Sequence, residues 1–191
     1  MSTRFEDRLN AALDRLLSPE LLANAGAGHD AGFHVFDYPP EHEPRVRVFI
    51  QTTIDLLARQ RPNLRICHTH LFQLLIDYLK DRNFYEKAFK RQREEGDQAL
   101  QKALKTPLKE THFAKYFVKS FPHEDYDLFV VSGVGNAWPL LRSHTLLNNL
   151  HTLLVNKPLV LFYPGQYDGL NLRLFGRLRE DNYYRALRLV P

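Results

Sequence analysis

Apolar side chains recur every three or four positions through Phe5, Leu9, Ala12, Leu13, Leu16 and Leu17, and this spacing predicts an amphipathic helix over residues 1–17. Ser18-Pro19-Glu20 restarts a short helix, with the proline at its first position, where no N–H is needed. Asn24 to Gly32 contains three glycines and reads as a loop. Phe33 to Asp37 is then a short strand, stopped by Pro39-Pro40. Helical periodicity returns from Pro44 to Arg61 through Val46, Phe49, Ile50, Ile54 and Leu57, and Pro62 ends it. Leu64 to Thr69 reads as a second strand and Leu71 to Leu79 as a helix.

The pattern changes between Phe84 and Phe121, where two or three helices follow one another, broken near Gly96 and at Thr106-Pro107. Asp127 to Ser132 is a third strand, followed by a helix from about Trp138 to Leu154. Leu159 to Tyr163 is a fourth strand. Pro164 and Gly165 suit the centre of a type II turn, which would leave Tyr163 and Tyr167 exposed near the carboxyl end of the sheet. A further strand is expected over Leu170 to Phe175.

Continuous apolar strands separated by helices imply an α/β fold, with a small, largely parallel sheet and helices on both faces. The scaffold is Rossmann-like or P-loop-like. One domain covers residues 1–191, and a helical layer is inserted within it at residues 80–122.

Composition narrows the class. Hydrophobic residues make up 44% of the 191, enough for a substantial core. No apolar run approaches the roughly 18 residues needed to span a bilayer. The charged start MSTRFEDRLNAAL is unlike a secretory signal, and the one cysteine, Cys67, excludes an internal disulfide. These features point to a cytoplasmic protein without membrane association. Lys80 to Lys119 holds 11 Lys/Arg and 6 Asp/Glu, so this stretch carries +5 of a net +4 and the remainder sums to −1.

Ser132-Gly-Val-Gly135 lies between a strand and a helix, the layout that cradles phosphate in nucleotide-binding proteins. The chemistry is missing. Neither a lysine nor a hydroxyl stands at the helical end, Trp138 fills the place of the third glycine of a dinucleotide fingerprint, and Pro139 lacks an N–H. The scaffold therefore has no phosphate loop, and no cofactor is expected. The following helix carries Arg142 and Asn149 on one margin of its leucine arc, and His144 and His151 on the other.

His68 and His70 lie on one face of the second strand at a spacing suited to a metal, but no third ligand follows from sequence. Asp37 and His144 are the alternatives for that place, and no metal site is assigned. Cys67, inside a strand, reads as a buried structural thiol. Lys87, Lys90, Arg91 and Arg93, close to Phe84, Tyr85 and Phe89, are the candidates for nucleic-acid contacts, although aromatics at this spacing read as core.

Three blocks of sequence are distinctive. Phe36-Asp-Tyr-Pro-Pro40 is the first, and Gly133-Val-Gly-Asn-Ala-Trp-Pro-Leu-Leu-Arg-Ser-His144 with Leu147-Asn148 the second. Phe162-Tyr-Pro-Gly165 with Gly169, Leu174-Phe-Gly176 and Asp181-Asn-Tyr-Tyr-Arg-Ala186 make the third. In this order they resemble the BrxB family, small components of the BREX bacteriophage-exclusion systems of bacteria. The resemblance implies phage defence alongside a large ATPase, a DNA methyltransferase and PglZ, a protein of the alkaline-phosphatase type. It also implies an accessory role without assigned enzymatic activity, in association with PglZ, and it transfers no catalytic residue.

The leading expectation is thus a non-enzymatic assembly subunit that binds PglZ. Its candidate partner-binding residues are Trp138, Arg142, His144, Tyr163, Tyr167, Tyr183, Tyr184 and Arg185. One alternative is a nucleic-acid-binding module that uses the basic insert, with weak or indirect DNA contact. A second is a degenerate nucleotide-binding protein.

Overall fold

The computed structural model describes residues 4–23, 32–154, 156–179 and 186–191. The loop expected before the first strand lies almost wholly outside these residues, as do Tyr183, Tyr184 and Arg185. The described elements run α1 (Arg4–Leu17), α2 (Pro19–Ala23), β1 (Phe33–Tyr38), α3 (Glu43–Gln60), β2 (Ile66–His70) and α4 (Leu71–Asp81). They continue with α5 (Tyr85–Glu95), α6 (Asp97–Leu104), α7 (Glu110–Ser120), β3 (Leu128–Ser132), α8 (Val134–Ala137) and α9 (Ser143–Leu153). The chain closes with β4 (Leu159–Tyr167), β5 (Leu172–Leu174), β6 (Leu178–Arg179) and β7 (Leu187–Arg188).

The main sheet has the order β2-β3-β4-β1-β7, with every neighbouring pair parallel. Its side chains alternate between two cores, as the pleat requires. Phe33, Val35, Phe129, Val131, Leu159 and Leu161 face the helices α4, α7, α8 and α9. Phe36, Tyr38, Leu128, Val130, Val160 and Phe162 face α1, α2 and α3. Strands apolar on both faces are those of a sheet covered by helices on each side, and the α/β expectation holds.

Between α4 and β3, the expected run of helices resolves into three. Gly96, with a φ of 84°, separates α5 from α6, a conformation that suits glycine. Tyr78 of α4 donates to the Pro107 carbonyl at 2.9 Å and so ties down the second break. Phe113, Ala114 and Phe117 of α7 are buried in the core, whereas α5 buries no residue fully. Among the described residues no helix is long and apolar enough to cross a membrane.

Two local readings are corrected. The helix expected from Trp138 begins at Ser143 instead, after the short turn α8. Pro139 causes the gap. It cannot donate within a helix, and Trp138 before it has extended backbone, φ −71° and ψ 141°. The second correction concerns Pro164-Gly165. These residues form no turn, because β4 runs straight through them to Tyr167. Pro164 still pairs with Tyr38 of β1, and from Gly165 onward the strand pairs antiparallel with β5, Gly165 opposite Leu174. A Cβ on Gly165 would overlap the Arg173 carbonyl oxygen, so the glycine serves close strand approach rather than a turn. The strand expected over Leu170 to Phe175 is the shorter β5.

Candidate functional site

In a parallel α/β sheet, loops that leave the carboxyl ends of the strands toward opposite faces open a crevice between them. Here β1 leads into α3 on one face and β3 leads into α8 on the other, with β4 between them. The crevice of this sheet therefore lies at its carboxyl end, and the two sides of that end differ.

The glycine-turn side is filled by the chain itself. Gly133 is left-handed, φ 74°, and a Cβ there would overlap the His70 ring. A Cβ on Gly135 would stand 2.9 Å from Phe175 and 3.1 Å from Pro164. Both glycines are thus explained by packing. Around them, His68 Nε2 lies 3.0 Å from the Ser132 hydroxyl, and Arg47 donates at 3.1 Å to Asn136, which in turn bonds His70. Partial burial of the rings pushes both histidines below their ordinary pKa; His70 lowers His68 further, and Arg47 does the same to His70. Among the described residues no three His, Cys, Asp or Glu side chains cluster as metal ligands. Cys67 is buried as expected, and burial pushes its thiol up to about 12.

The β1–β4 side is open. A cleft of about 700 Å³ is walled by α1, the end of β1, the continuation of β4, the turn after β5, and β7. Asp37 stands in its wall. One carboxylate oxygen accepts from Arg8 at 2.7 Å and the other from the Tyr167 N–H at 3.0 Å, while Arg8 also donates to the Asp37 carbonyl at 2.9 Å. The Arg8 guanidinium lies over the Phe36 ring, 5.1 Å from its centre. Asp37 is therefore the clasp that joins α1 and β4 to β1, a role that sequence reasoning missed.

The other predicted residues separate into two groups. Trp138 is 42% exposed, edge-on to Phe175 with ring centres 6.3 Å apart, and Arg142 is exposed ahead of α9. Tyr163, Tyr167 and His144 are buried, and their assignment to an exposed partner surface is corrected. Because β4 continues through Pro164, Tyr163 points into the core and Tyr167 is held by its hydroxyl, 2.8 Å from the Ala186 carbonyl. His144 sits in the first turn of α9, its Nε2 2.8 Å from the Thr145 hydroxyl. Lys87, Lys90, Arg91 and Arg93 are all exposed on α5. There Lys90 and Arg91 pair with Glu94 and Glu95 one turn on, at 3.9 and 3.0 Å. Phe84 and Tyr85 pack on the core as expected, but Phe89 remains 44% exposed.

Comparison with known proteins finds relatives over nearly the whole chain. The family model described as "BREX protein BrxB" matches residues 67–189. A "BREX protein BrxB" of Bacillus cereus (strain H3081.97) is 34% identical over 189 residues, 98% of each chain. Another of the same name, from Escherichia coli O9:H4 (strain HS), is 35% identical over 186 residues, 97% of this chain and 92% of its own. No solved structure matches.

Proposed function

We propose that this chain, which belongs to the BrxB family of the BREX phage-defence system, is a non-enzymatic assembly subunit that docks PglZ through the carboxyl end of its sheet. One observation carries the reading. Where a nucleotide-binding sheet keeps open backbone, His70 and Phe175 pack against the glycine turn, and an exposed tryptophan stands beside it. A large aromatic exposed on a rigid corner is a typical anchor of protein interfaces. Arg142, close by in sequence and also exposed, supplies a charged rim.

Co-expression with PglZ followed by size-exclusion chromatography tests this. The two proteins are expected to co-elute, and to survive moderate salt because the anchor is apolar. Trp138→Ala should weaken the complex by about 2 kcal/mol, roughly thirtyfold, without unfolding a side chain that is already exposed. Separate elution of the wild-type proteins at both low and moderate salt would overturn the proposal.

A further inference from the structure

The open cleft does not end at its own walls. A second hollow of about 210 Å³ adjoins it, and the two share Asp37, Gln166 and Arg188. Together they make one trough along the continuation of β4, with Arg4 on the larger hollow, Arg8 and Arg188 at the shared wall and Arg173 on the smaller hollow. Two carboxylates face these four arginines, and both are engaged internally. Asp37 is clasped by Arg8 and the Tyr167 N–H, and Asp168 accepts from the backbone N–H groups of Leu170 and Asn171 at 2.9 and 2.7 Å. Among the described side chains that line the trough, arginines thus outnumber carboxylates by two, with Arg188 also donating to the Tyr167 carbonyl.

Apolar surface alternates with this charge. Phe5, Pro39, Pro40 and Phe175 line the larger hollow, between Arg4 and Arg188. Arg4, Gln166, Arg173 and Arg188 are exposed, so the trough is open along its length rather than closed around a compact ligand. We infer that this trough binds an extended acidic segment of a partner protein, with its carboxylates on Arg4, Arg188 and Arg173 and its apolar side chains between them. The inference names a ligand chemistry and stands whether or not PglZ is the partner.

The test is fluorescence anisotropy with a labelled peptide of alternating Glu and Leu, against its Lys and Leu counterpart. The acidic peptide is expected to bind and the basic one not, with affinity falling as salt rises. Arg4→Glu on the larger hollow and Arg173→Glu on the smaller should each weaken binding by about fivefold, and together by about 25-fold. Both side chains are exposed, and circular dichroism of each variant checks the fold. Equal binding of the two peptides, no binding of either, or indifference to both substitutions in folded protein would overturn the inference. So would displacement of the peptide by inorganic phosphate or a mononucleotide at matched ionic strength, which would make the trough a small-anion site.

Discussion

Gly165→Ala is expected to destabilise the chain by about 3 kcal/mol, because the added methyl meets backbone rather than a side chain that can turn away. The Arg173 carbonyl lies where the Cβ would be, and the Tyr163 ring stands 2.9 Å from the same point. Relief requires β4 and β5 to separate, and with them the pairs Gln166–Arg173 and Tyr167–Leu172. In a chain of 191 residues this corresponds to a fall in Tm of roughly 6 to 12 °C. Gly169, whose Cβ would meet nothing within 4 Å but whose φ is 97°, provides the comparison. Gly169→Ala should show only the backbone cost, about 1 kcal/mol. Equal losses for the two variants, measured by urea denaturation, would contradict the packing account of Gly165.

Asp37→Ala should cost nearly as much for a different reason. Its side chain is 14% exposed and that of Arg8 24%, so the ion pair is largely withdrawn from water. Deleting the carboxylate strands a guanidinium and the Tyr167 N–H together, a loss of about 3 kcal/mol. Arg8→Ala removes only one half of the clasp and should cost less. In the double variant the guanidinium is no longer stranded, so the losses should fall short of their sum by about 1 to 2 kcal/mol. Additive losses would show that Arg8 and Asp37 do not act as a pair.

How far the sequence reached depends on the range of the physics involved. Helices α3, α4 and α7 and strands β1, β2 and β3 could be read because apolar period and proline punctuation are local signals. Pro164-Gly165 misled for the same reason. The dipeptide prefers a turn, but antiparallel pairing with β5 and parallel pairing with β1 override that preference. The error then propagated to Tyr163 and Tyr167, since a turn would have exposed what a continuing strand buries. Trp138 and Arg142 are exposed because Pro139 interrupts the helix that the apolar period alone would run through both. His144 is not, because its burial follows from how α9 seats on the core. The Asp37 clasp had no local signature at all. Its partners lie 29 and 130 positions away, and only the fold brings them together.

The glycine turn is the clearest case of a scaffold kept without its chemistry. A strand, a left-handed glycine and a helical turn are all present, yet every glycine constraint is met by His70, Phe175 and Pro164. What stays open at the carboxyl end is a trough of arginines and apolar side chains beside an exposed tryptophan. Such a surface has the character that the docking proposed above requires.

Hydrogen exchange of this chain, free and mixed with PglZ, tests that conclusion most directly. The account predicts slowed exchange at the amides of α8 through Arg142, with Arg4 to Arg8 and Ala186 to Arg188 protected if the acidic segment belongs to PglZ. Protection confined to α5 and α6, or none anywhere, would contradict docking through the carboxyl end of the sheet.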